Sequence, residues 1–339
     1  MNAASKPFDG EHKYIRITDI DENTSEYKED GVVSPDSEID EHYRVNENDI
    51  LFARTGASTG KTYLYSQKDG RLYFAGFLIR MNVSSLNNAR FVFYLTQTSR
   101  YKKWVQIMSM RSGQPGINSQ EYSSYRCFLP KLEEQQKIAD LLTLVDRRIS
   151  VQNKVIGKYE SLIKALVYDT IGKYTPNTLL SECVRCSSST LKESDLTVEG
   201  AVPAYGAAGI SGFTDSALSD EDSILITKDG SGVGFLRYVN GPHSFVGTLN
   251  SMTSKEEVYL PYIYYALQNV CFESYRTGQA IPHIYFKDYG KEAIYCPSFD
   301  EQKRLANGLE MIDSKVGIER ATLQYLHSVK AYLLSAMFI

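Results

Sequence analysis

The sequence predicts an α+β fold in which two similar mixed α/β globules are each followed by a long helix. Three observations lead to this prediction: a repeat running through the chain, short β-type runs in each half, and a heptad pattern after each run of strands. The 339 residues suffice for two domains, and 42% of them are hydrophobic, so ordinary cores can form. The predicted ranges are 1–131 and 174–297 for the globules and 132–173 and 298–339 for the helices.

The repeat is clearest where each long helix begins. Pro130–Ala139 resembles Pro297–Ala306, with proline, glutamate, glutamine and alanine at matching places, and Asp146 matches Asp313 at the same spacing. Two more pairs of strings follow the same order in both halves, which makes a chance match improbable. They are Ile50–Gly60 with Ile224–Gly234, and Arg111–Gln114 with Arg276–Gln279.

Short apolar and β-branched runs between turn residues predict strands in both globules. These runs are Lys13–Thr18, Asp49–Arg54, Ser223–Lys228 and Ala293–Cys296.

A period of 3.5 residues, sustained over about four heptads, predicts that the two long helices pair with each other as a coiled coil. The alternative is that each amphipathic helix packs only on its own globule. Polar Gln152 and Glu319 occupy matching heptad positions, and such residues often fix register. The predicted interface positions are Ile138, Val145, Gln152, Tyr159 and Leu166 in the first helix and Leu305, Ile312, Glu319, Leu326 and Leu333 in the second.

The string from Gly56 to Thr62 is similar to a phosphate-binding P-loop that ends in Gly-Lys-Thr. It has three residues between its glycines where that loop needs four, and Gly230–Phe235 in the second half has no lysine. We therefore regard a divergent P-loop ATPase using Lys61 as an unlikely alternative. A glycine-rich turn beside a basic residue can instead present backbone N–H groups and hydroxyls to phosphates or base edges.

Other patterns point away from catalysis and metal binding. Cys183 and Cys186 form a CxxC without a second pair of ligands, and His243 and His283 stand alone. No catalytic triad, HExxH string, dinucleotide fingerprint or adenine-methylating motif can be assembled, so the sequence predicts no enzyme and no cofactor in this chain.

The composition predicts a soluble cytoplasmic protein without a membrane contact, since no apolar run reaches membrane-spanning length. The formal net charge is −4, and the first 50 residues carry 14 acidic and 5 basic residues. Local patches nevertheless decide nucleic-acid binding. Basic and aromatic residues alternate in Arg100–Trp104, just before Arg111–Gln114, although a solvated helix end would look the same. Arginine and glutamine can read guanine and adenine bidentately.

The order of globule, helix, globule, helix resembles the specificity subunits of type I DNA restriction-modification systems. The resemblance rests on Leu51–Lys61, Arg111–Gln114, Pro130–Ala139 and their second copies, and it covers nearly the whole chain. It implies that each globule is a target recognition domain that reads one half of a bipartite DNA site. It also implies that the helices form an antiparallel, pseudo-two-fold coiled coil that sets the spacer between the half-sites.

The resemblance also implies partners. Two modification (methyltransferase) subunits would dock on the chain, and motor-nuclease restriction subunits would join them. S-adenosylmethionine, ATP and Mg would be bound by these partners, and DNA methylation would be their reaction. A specificity subunit of a fused type II restriction-methylation enzyme is the related alternative, and a scaffold that binds protein but no DNA is another.

One departure from the family pattern concerns the first globule. Leu179–Cys183 looks like the family's opening strand in the second globule, and no counterpart precedes Tyr14. The resemblance therefore implies a first recognition domain that is short at its N-terminus.

The candidate DNA-contacting residues come from the glycine-rich loops and the Gly-Gln strings. They are Arg54, Ser58, Thr59, Lys61, Arg111 and Gln114 in the first half and Lys228, Ser231, Arg276 and Gln279 in the second.

Overall fold

The structure of the chain is a computed structural model that describes residues 1–111, 113–279 and 281–338. Ser112 of the first Gly-Gln string and Ile339, the last residue of the second predicted helix, lie outside the described residues, as does Ala280. The chain divides into two compact units. Unit 1 is Met1–Gln152 with Thr322–Ile339, and unit 2 is Asn153–Ala321.

Unit 1 contains the first globule, in which small sheets surround an apolar centre. Its strands are β1 (Ser5–Pro7), β2 (Lys13–Ile15), β3 (Val33–Pro35), β4 (Asp49–Ala53), β5 (Thr62–Leu64), β6 (Leu72–Phe74) and β7 (Leu78–Asn82). Its short helices are α1 (Ala89–Leu95), α2 (Ser99–Met108) and α3 (Ser119–Ser123). Strand β1 pairs with β3, β2 runs parallel to β6, and β4 lies between β5 and β7 in an antiparallel sheet.

The central strand β4 is buried over its whole length, as its apolar sequence predicts. Its first residue, Asp49, is buried because its carboxylate accepts hydrogen bonds from the Asn46 N–H and the Asn82 side-chain amide, at 2.8 Å each. Helix α1 begins after Asn88, whose side chain caps it by accepting from the Phe91 N–H. Phe93 and Tyr94 of this helix share a buried cluster with Ile50 and Phe52 of β4, which holds the helix beside the sheet.

Unit 2 contains the second globule. Its strands are β8 (Thr178–Leu179), β9 (Val184–Ser188), β10 (Val202–Gly206), β11 (Gly209–Thr214), β12 (Ser223–Thr227), β13 (Leu236–Val239), β14 (Ser244–Phe245), β15 (Leu249–Ser254) and β16 (Ala293–Ile294). The sheet equivalent to that of β4 has four strands in the order β13, β12, β15, β9. Strand β10 pairs with β11 and runs parallel to β14. Two long helices, α4 (Leu132–Val167) and α8 (Phe299–Met337), are shared by the units, and α5 (Leu180–Cys183), α6 (Leu260–Ala266) and α7 (Phe286–Tyr289) are short.

The expectation for Leu179–Cys183 is wrong, because most of this segment is helical. Leu180–Cys183 forms the turn α5, and the strand that joins the sheet, β9, begins at Val184. The Glu182 carboxylate accepts from the Leu179 N–H at 3.0 Å and so closes the turn. Leu180 and Cys183 are both buried beneath it.

The long helices are 36 and 39 residues, or about 54 and 58 Å at 1.5 Å per residue. In unit 1 the start of α4 packs with the end of α8: Ile138 and Ala139 share a cluster with Phe338, and Lys330 Nζ lies 2.8 Å from Asp146 Oδ1. This order makes the two segments antiparallel. In unit 2 the same two helices are joined by Arg320 and Glu160 at 2.6 Å.

The buried stripe of each long helix is wider than one coiled-coil seam. All ten predicted interface positions are buried or half-buried. A further row of buried side chains in α4, however, lies four residues after these positions, at Leu142, Ile149, Ile156 and Ile163. Leu142 belongs to the core cluster of the first globule. The helix thus packs on its globule as well as on its partner helix. A helix with only a coiled-coil seam would pack on its partner helix alone.

Buried Gln135 and Gln302 join each long helix to its globule in the same way. The Gln135 side chain accepts from the Asn88 N–H at 2.9 Å and donates to the Pro130 carbonyl at 2.9 Å. The Gln302 side chain accepts from the Tyr259 N–H and donates to the Pro297 carbonyl, again at 2.9 Å each. Each glutamine therefore satisfies the N-terminus of a short helix, α1 or α6, and the turn that leads into its own helix.

The matched aspartates make a second junction eleven residues, or about three turns, further along each helix. Tyr94 of α1 donates to Asp146 at 2.8 Å, and Tyr265 of α6 donates to Asp313 at 3.5 Å. The residues that the repeat preserves are thus the ones that fix a helix to a globule.

Candidate nucleic-acid interface

The first glycine-rich loop connects β4 to β5 and is held closed by its own backbone. The Gly60 N–H donates to the Ala53 carbonyl at 3.0 Å, and the Ala53 N–H donates to the Lys61 carbonyl at 2.8 Å. Gly60 has φ +89°, and a Cβ there would lie 2.4 Å from Val105 of α2. Both the turn and the close approach therefore require glycine.

The second glycine-rich loop connects β12 to β13 with the same geometry. The Gly234 N–H donates to the Thr227 carbonyl at 2.9 Å, and the Thr227 N–H donates to the Phe235 carbonyl at 3.0 Å. Gly234 has φ +86°, and a Cβ there would lie 2.6 Å from Phe272 Cβ. The first loop leads into a strand at Thr62, whereas a phosphate-binding P-loop leads into a helix. The first loop therefore lacks the P-loop geometry that the ATPase alternative requires.

Each glycine-rich loop is paired with the segment that follows the Gly-Gln string. The Gly56 N–H donates to the Pro115 carbonyl, and the Gly230 N–H donates to the Pro282 carbonyl, at 2.9 Å in both halves. The prolines are thus equivalent, but the two strings are not. Gln114 directly precedes Pro115, whereas two residues separate Gln279 from Pro282.

In the first half, the candidate side chains divide into exposed and anchored ones. Arg54, Arg111 and Gln114 are exposed and Ser58 is half-buried. Arg54 and Ser58 lie on or beside the glycine-rich loop, and Arg111 and Gln114 precede Pro115 in the segment that is paired with it. Lys61 is only 14% exposed, because its Nζ donates to the Ile20 carbonyl and lies 3.2 Å from Glu22.

The Thr59 hydroxyl is also occupied, since it donates to the Gly56 carbonyl at 2.7 Å. In this structure, the Lys61 ammonium and the Thr59 hydroxyl therefore support the loop.

In the second half, Ser231, Arg276 and Gln279 are exposed and Lys228 is half-buried. Arg276 is paired with Glu273 at 2.7 Å, much as Arg111 is paired with Glu121. The Asn118 N–H and then the Arg111 guanidinium lower the pKa of Glu121, so this carboxylate is ionised at neutral pH. Both guanidinium groups are thus paired with a carboxylate in this structure.

Sequence reasoning missed an aromatic and cationic group beside the second loop. Phe235, which takes the place of Lys61, is 55% exposed, and the Arg237 guanidinium lies 5.6 Å from its ring centre and 5.9 Å from that of Tyr205. Ile210, at the tip of the β10–β11 hairpin, is 57% exposed. The sequence signal for this group was Phe235, which stands in the second copy of the repeat where the first copy has Lys61.

His283 and Asp229 are a further pair that the sequence did not connect. Their side chains meet at 2.7 Å, on the two segments that carry Lys228 and Gln279. Across the described ranges, no group of three or more His, Cys, Asp or Glu side chains could hold a metal ion. None of the helices in the described part of the chain combines the length and apolar character needed to cross a membrane.

A family model for the type I restriction modification DNA specificity domain matches residues 1–158 and 184–327, so the chain belongs to this family. Over 135 residues it is 29% identical to the type I restriction enzyme MjaVIII specificity subunit of Methanocaldococcus jannaschii. That match covers 39% of this chain and only 30% of the relative's length. The resemblance noted from the sequence is therefore confirmed.

Two solved structures show the same fold. The S subunit of a type I restriction-modification system from M. genitalium superposes with a TM-score of 0.66 at 19% identity, covering 99% of this chain and 90% of that one. A chain from a structure on complex assembly and conformational transition of the type I R-M system gives 0.54 at 17% identity, covering 96% and 90%. The predicted fold class, two mixed α/β globules with long helices, is confirmed.

Proposed function

We propose that this chain is the DNA sequence-specificity subunit of a type I restriction-modification complex and is not itself an enzyme. Each globule reads one half of a bipartite site in double-stranded DNA. The observation that carries the proposal is the doubled scaffold: a closed glycine-rich loop hydrogen-bonded to an arginine-bearing hairpin, once in each unit of a chain of this family.

The exposed and half-buried side chains of the scaffold suit two roles in DNA binding. Arg54 and Lys228 directly follow the central strands, where cations hold phosphates. Arg111, Gln114, Arg276 and Gln279 lie on the hairpins, and such side chains read guanine and adenine edges in the major groove. In the second globule, the exposed Phe235 and Ile210 side chains suit contact with a thymine methyl group.

The long helices would set the spacer and dock the partners. Two modification subunits would carry S-adenosylmethionine, and motor-nuclease subunits would carry ATP and Mg, so methylation and cleavage would occur in those chains in the cytoplasm. Nothing in the fold or the comparisons favours the fused type II enzyme.

The half-site test is methylation mapping of a genome with the full complex carrying one substitution at a time. Arg111→Ala should relax or change only one half of the methylated site, and Arg276→Ala only the other, because each hairpin belongs to one unit. Lys61→Met is the matched control in the first loop and should leave both halves unchanged. The assignment would be contradicted if either arginine variant lost recognition of both half-sites while its complex remained as stable as the wild type.

The spacer test uses a heptad inserted at two facing points, after Glu160 in α4 and after Glu319 in α8, next to the Arg320–Glu160 ion pair. Seven residues preserve the buried stripe. The methylated sites should then have a longer spacer. An unchanged spacer in an assembled complex would refute the role of the helices as a ruler.

A further inference from the structure

One cross-strand pair beside each glycine-rich loop differs between the two units. In unit 1 this pair is Thr55 and Gly116, and in unit 2 it is Asp229 and His283. Thr55 and Asp229 directly precede the first glycine of their loops, and Gly116 and His283 directly follow the equivalent prolines. The place is therefore the same in both units, but unit 2 alone has two side chains there, because glycine has none.

The backbone puts the Asp229 and His283 side chains on the same face. Two hydrogen bonds of 2.9 Å flank the pair, from the Gly230 N–H to the Pro282 carbonyl and from the Ile284 N–H to the Lys228 carbonyl. A pair between two such bonds is a non-hydrogen-bonded pair of an antiparallel ladder, in which the side chains lie closest together. This geometry brings Nδ1 of His283 to 2.7 Å from Oδ1 of Asp229.

His283 is also joined to the Arg276–Gln279 string. Its N–H donates to the Thr277 carbonyl at 2.8 Å, and its carbonyl accepts from the Thr277 N–H at 2.9 Å. A Cβ at Gly278 would lie 3.3 Å from Cδ2 of the His283 ring. Since Cδ2 is bonded to Nε2, the Nε2 edge of the ring lies beside the string that carries the exposed Gln279 side chain.

The ring of His283 is fixed and yet accessible. Asp229 holds Nδ1, and the Tyr285 ring stacks on the imidazole at an angle of 25°, with ring centres 6.4 Å apart. The His283 side chain nevertheless remains 37% exposed. A ring held on two sides presents its remaining polar atom in a set direction, as a specific contact requires.

Asp229 determines which hydrogen-bonding role remains for Nε2. A carboxylate accepts hydrogen bonds and cannot donate them, so the proton between the two side chains is on Nδ1. In the neutral imidazole, Nε2 then carries a lone pair and is an acceptor. Among the described residues, none hydrogen-bonds to Nε2.

A fixed acceptor distinguishes two classes of base in the major groove. Adenine and cytosine present an exocyclic amino group there, whereas guanine and thymine present acceptor oxygens. An acceptor therefore favours the amino bases and leaves an unpaired acceptor opposite the keto bases.

We propose that His283 is a specificity-determining residue whose Nε2 accepts a hydrogen bond from the amino group of one adenine or cytosine in the half-site read by unit 2. Asp229 is its positioning residue, because it keeps the proton on Nδ1. This inference rests on the proposed function as a DNA specificity subunit.

The first test measures DNA binding by the methyltransferase complex that contains the full chain. In its mapped site, each adenine or cytosine of the unit 2 half is replaced in turn by purine or 2-pyrimidinone, which lack the amino group. At one position the replacement should weaken wild-type binding about 3- to 10-fold more than it weakens binding by His283→Ala. That position also tells adenine from cytosine. If His283→Ala does not assemble, His283→Phe keeps a ring against Tyr285 without either nitrogen.

The second test maps methylated sites with Asp229→Asn. An asparagine amide can donate to Nδ1, so Nε2 can carry the proton and become a donor. The variant complex should therefore also methylate sites with guanine or thymine at that one position, which a mere loss of packing would not produce. His12→Ala is the matched control, because His12 forms the same kind of pair with Asp9, at 3.0 Å, in the turn between β1 and β2. It should leave both half-sites unchanged.

The outcomes separate this proposal from the proposed function. A wild-type complex that methylates no bipartite site would contradict the function itself. If the bipartite site is found but no amino group in it is coupled to His283, the role of His283 is overturned. An unchanged methylated sequence with Asp229→Asn would overturn the role of Asp229.

Discussion

The two units are built on the same junctions but differ at their loops and at one sheet edge. Gln135 and Gln302 make the same pair of hydrogen bonds, and Gly60 and Gly234 close the same turn. Beside that turn, anchored Lys61 in unit 1 is replaced by exposed Phe235 in unit 2. The comparison separates the frame that both copies keep from the surface in which each copy is free to vary.

The largest effect is expected at the closing glycines. Gly60→Ala and Gly234→Ala should each destabilise their unit by about 3 kcal/mol, since a Cβ meets Val105 or Phe272 and φ is positive. Gly230→Ala, with φ +95° and no atom within 4 Å of its Cβ, should cost only about 1 kcal/mol. Thermal melting with hydrogen exchange would measure both, and equal costs at Gly230 and Gly234 would contradict the close-packing argument.

The glutamine junctions rank next. Gln135→Leu and Gln302→Leu should each cost about 2–3 kcal/mol, because a helix N-terminal N–H and a proline carbonyl lose their buried partners. Exposed Lys137→Leu is the nearby control and should change stability by less than about 0.5 kcal/mol. If the two junctions are equivalent, hydrogen exchange should speed up near α1 in one variant and near α6 in the other.

The aspartate junctions should reveal an inequality between the units. Asp146→Ala should cost about 1–2 kcal/mol, since Asp146 binds both Tyr94 and the largely buried Lys330 ammonium. Asp313→Ala should cost about 0.5 kcal/mol, because the bond from Tyr265 is 3.5 Å long. Denaturant midpoints of the two variants would check the order, and a larger loss at Asp313 would reverse it.

The last effect depends on pH and concerns the amino group of Met1, which donates to the Phe74 carbonyl. Burial lowers its pKa from 8.0 to about 5. The unfolded chain therefore binds more protons between these values, and the stability of unit 1 should rise as the pH is raised from 5 to 8. N-terminal acetylation should remove this rise, and melting curves of the two forms across that range would show it.

Much of the frame could be predicted from the sequence, because the repeat and the heptads record contacts that both copies share. Asp49–Ala53 and Ser223–Thr227 are strands as expected. The role of Lys61 could not be predicted, since Ile20 and Glu22 lie some forty residues away in sequence. The two Gly-Gln strings match in sequence but are not equivalent in the structure. Gln114 and Gln279 lie at different distances along the chain from the structurally equivalent prolines.

The division of each long helix between the units has a consequence for synthesis on the ribosome. The ring of Phe91 in the first globule packs against the ring of Phe338 in a tilted arrangement, with ring centres 4.9 Å apart. At 5–20 residues per second, about 10–35 seconds separate translation of residue 152 from that of residue 322. During that time, the surface of the nascent first globule that packs against the end of α8 is uncovered. A chaperone that shields apolar helices during translation would therefore help this chain more than one of equal size made from two consecutive, self-contained domains.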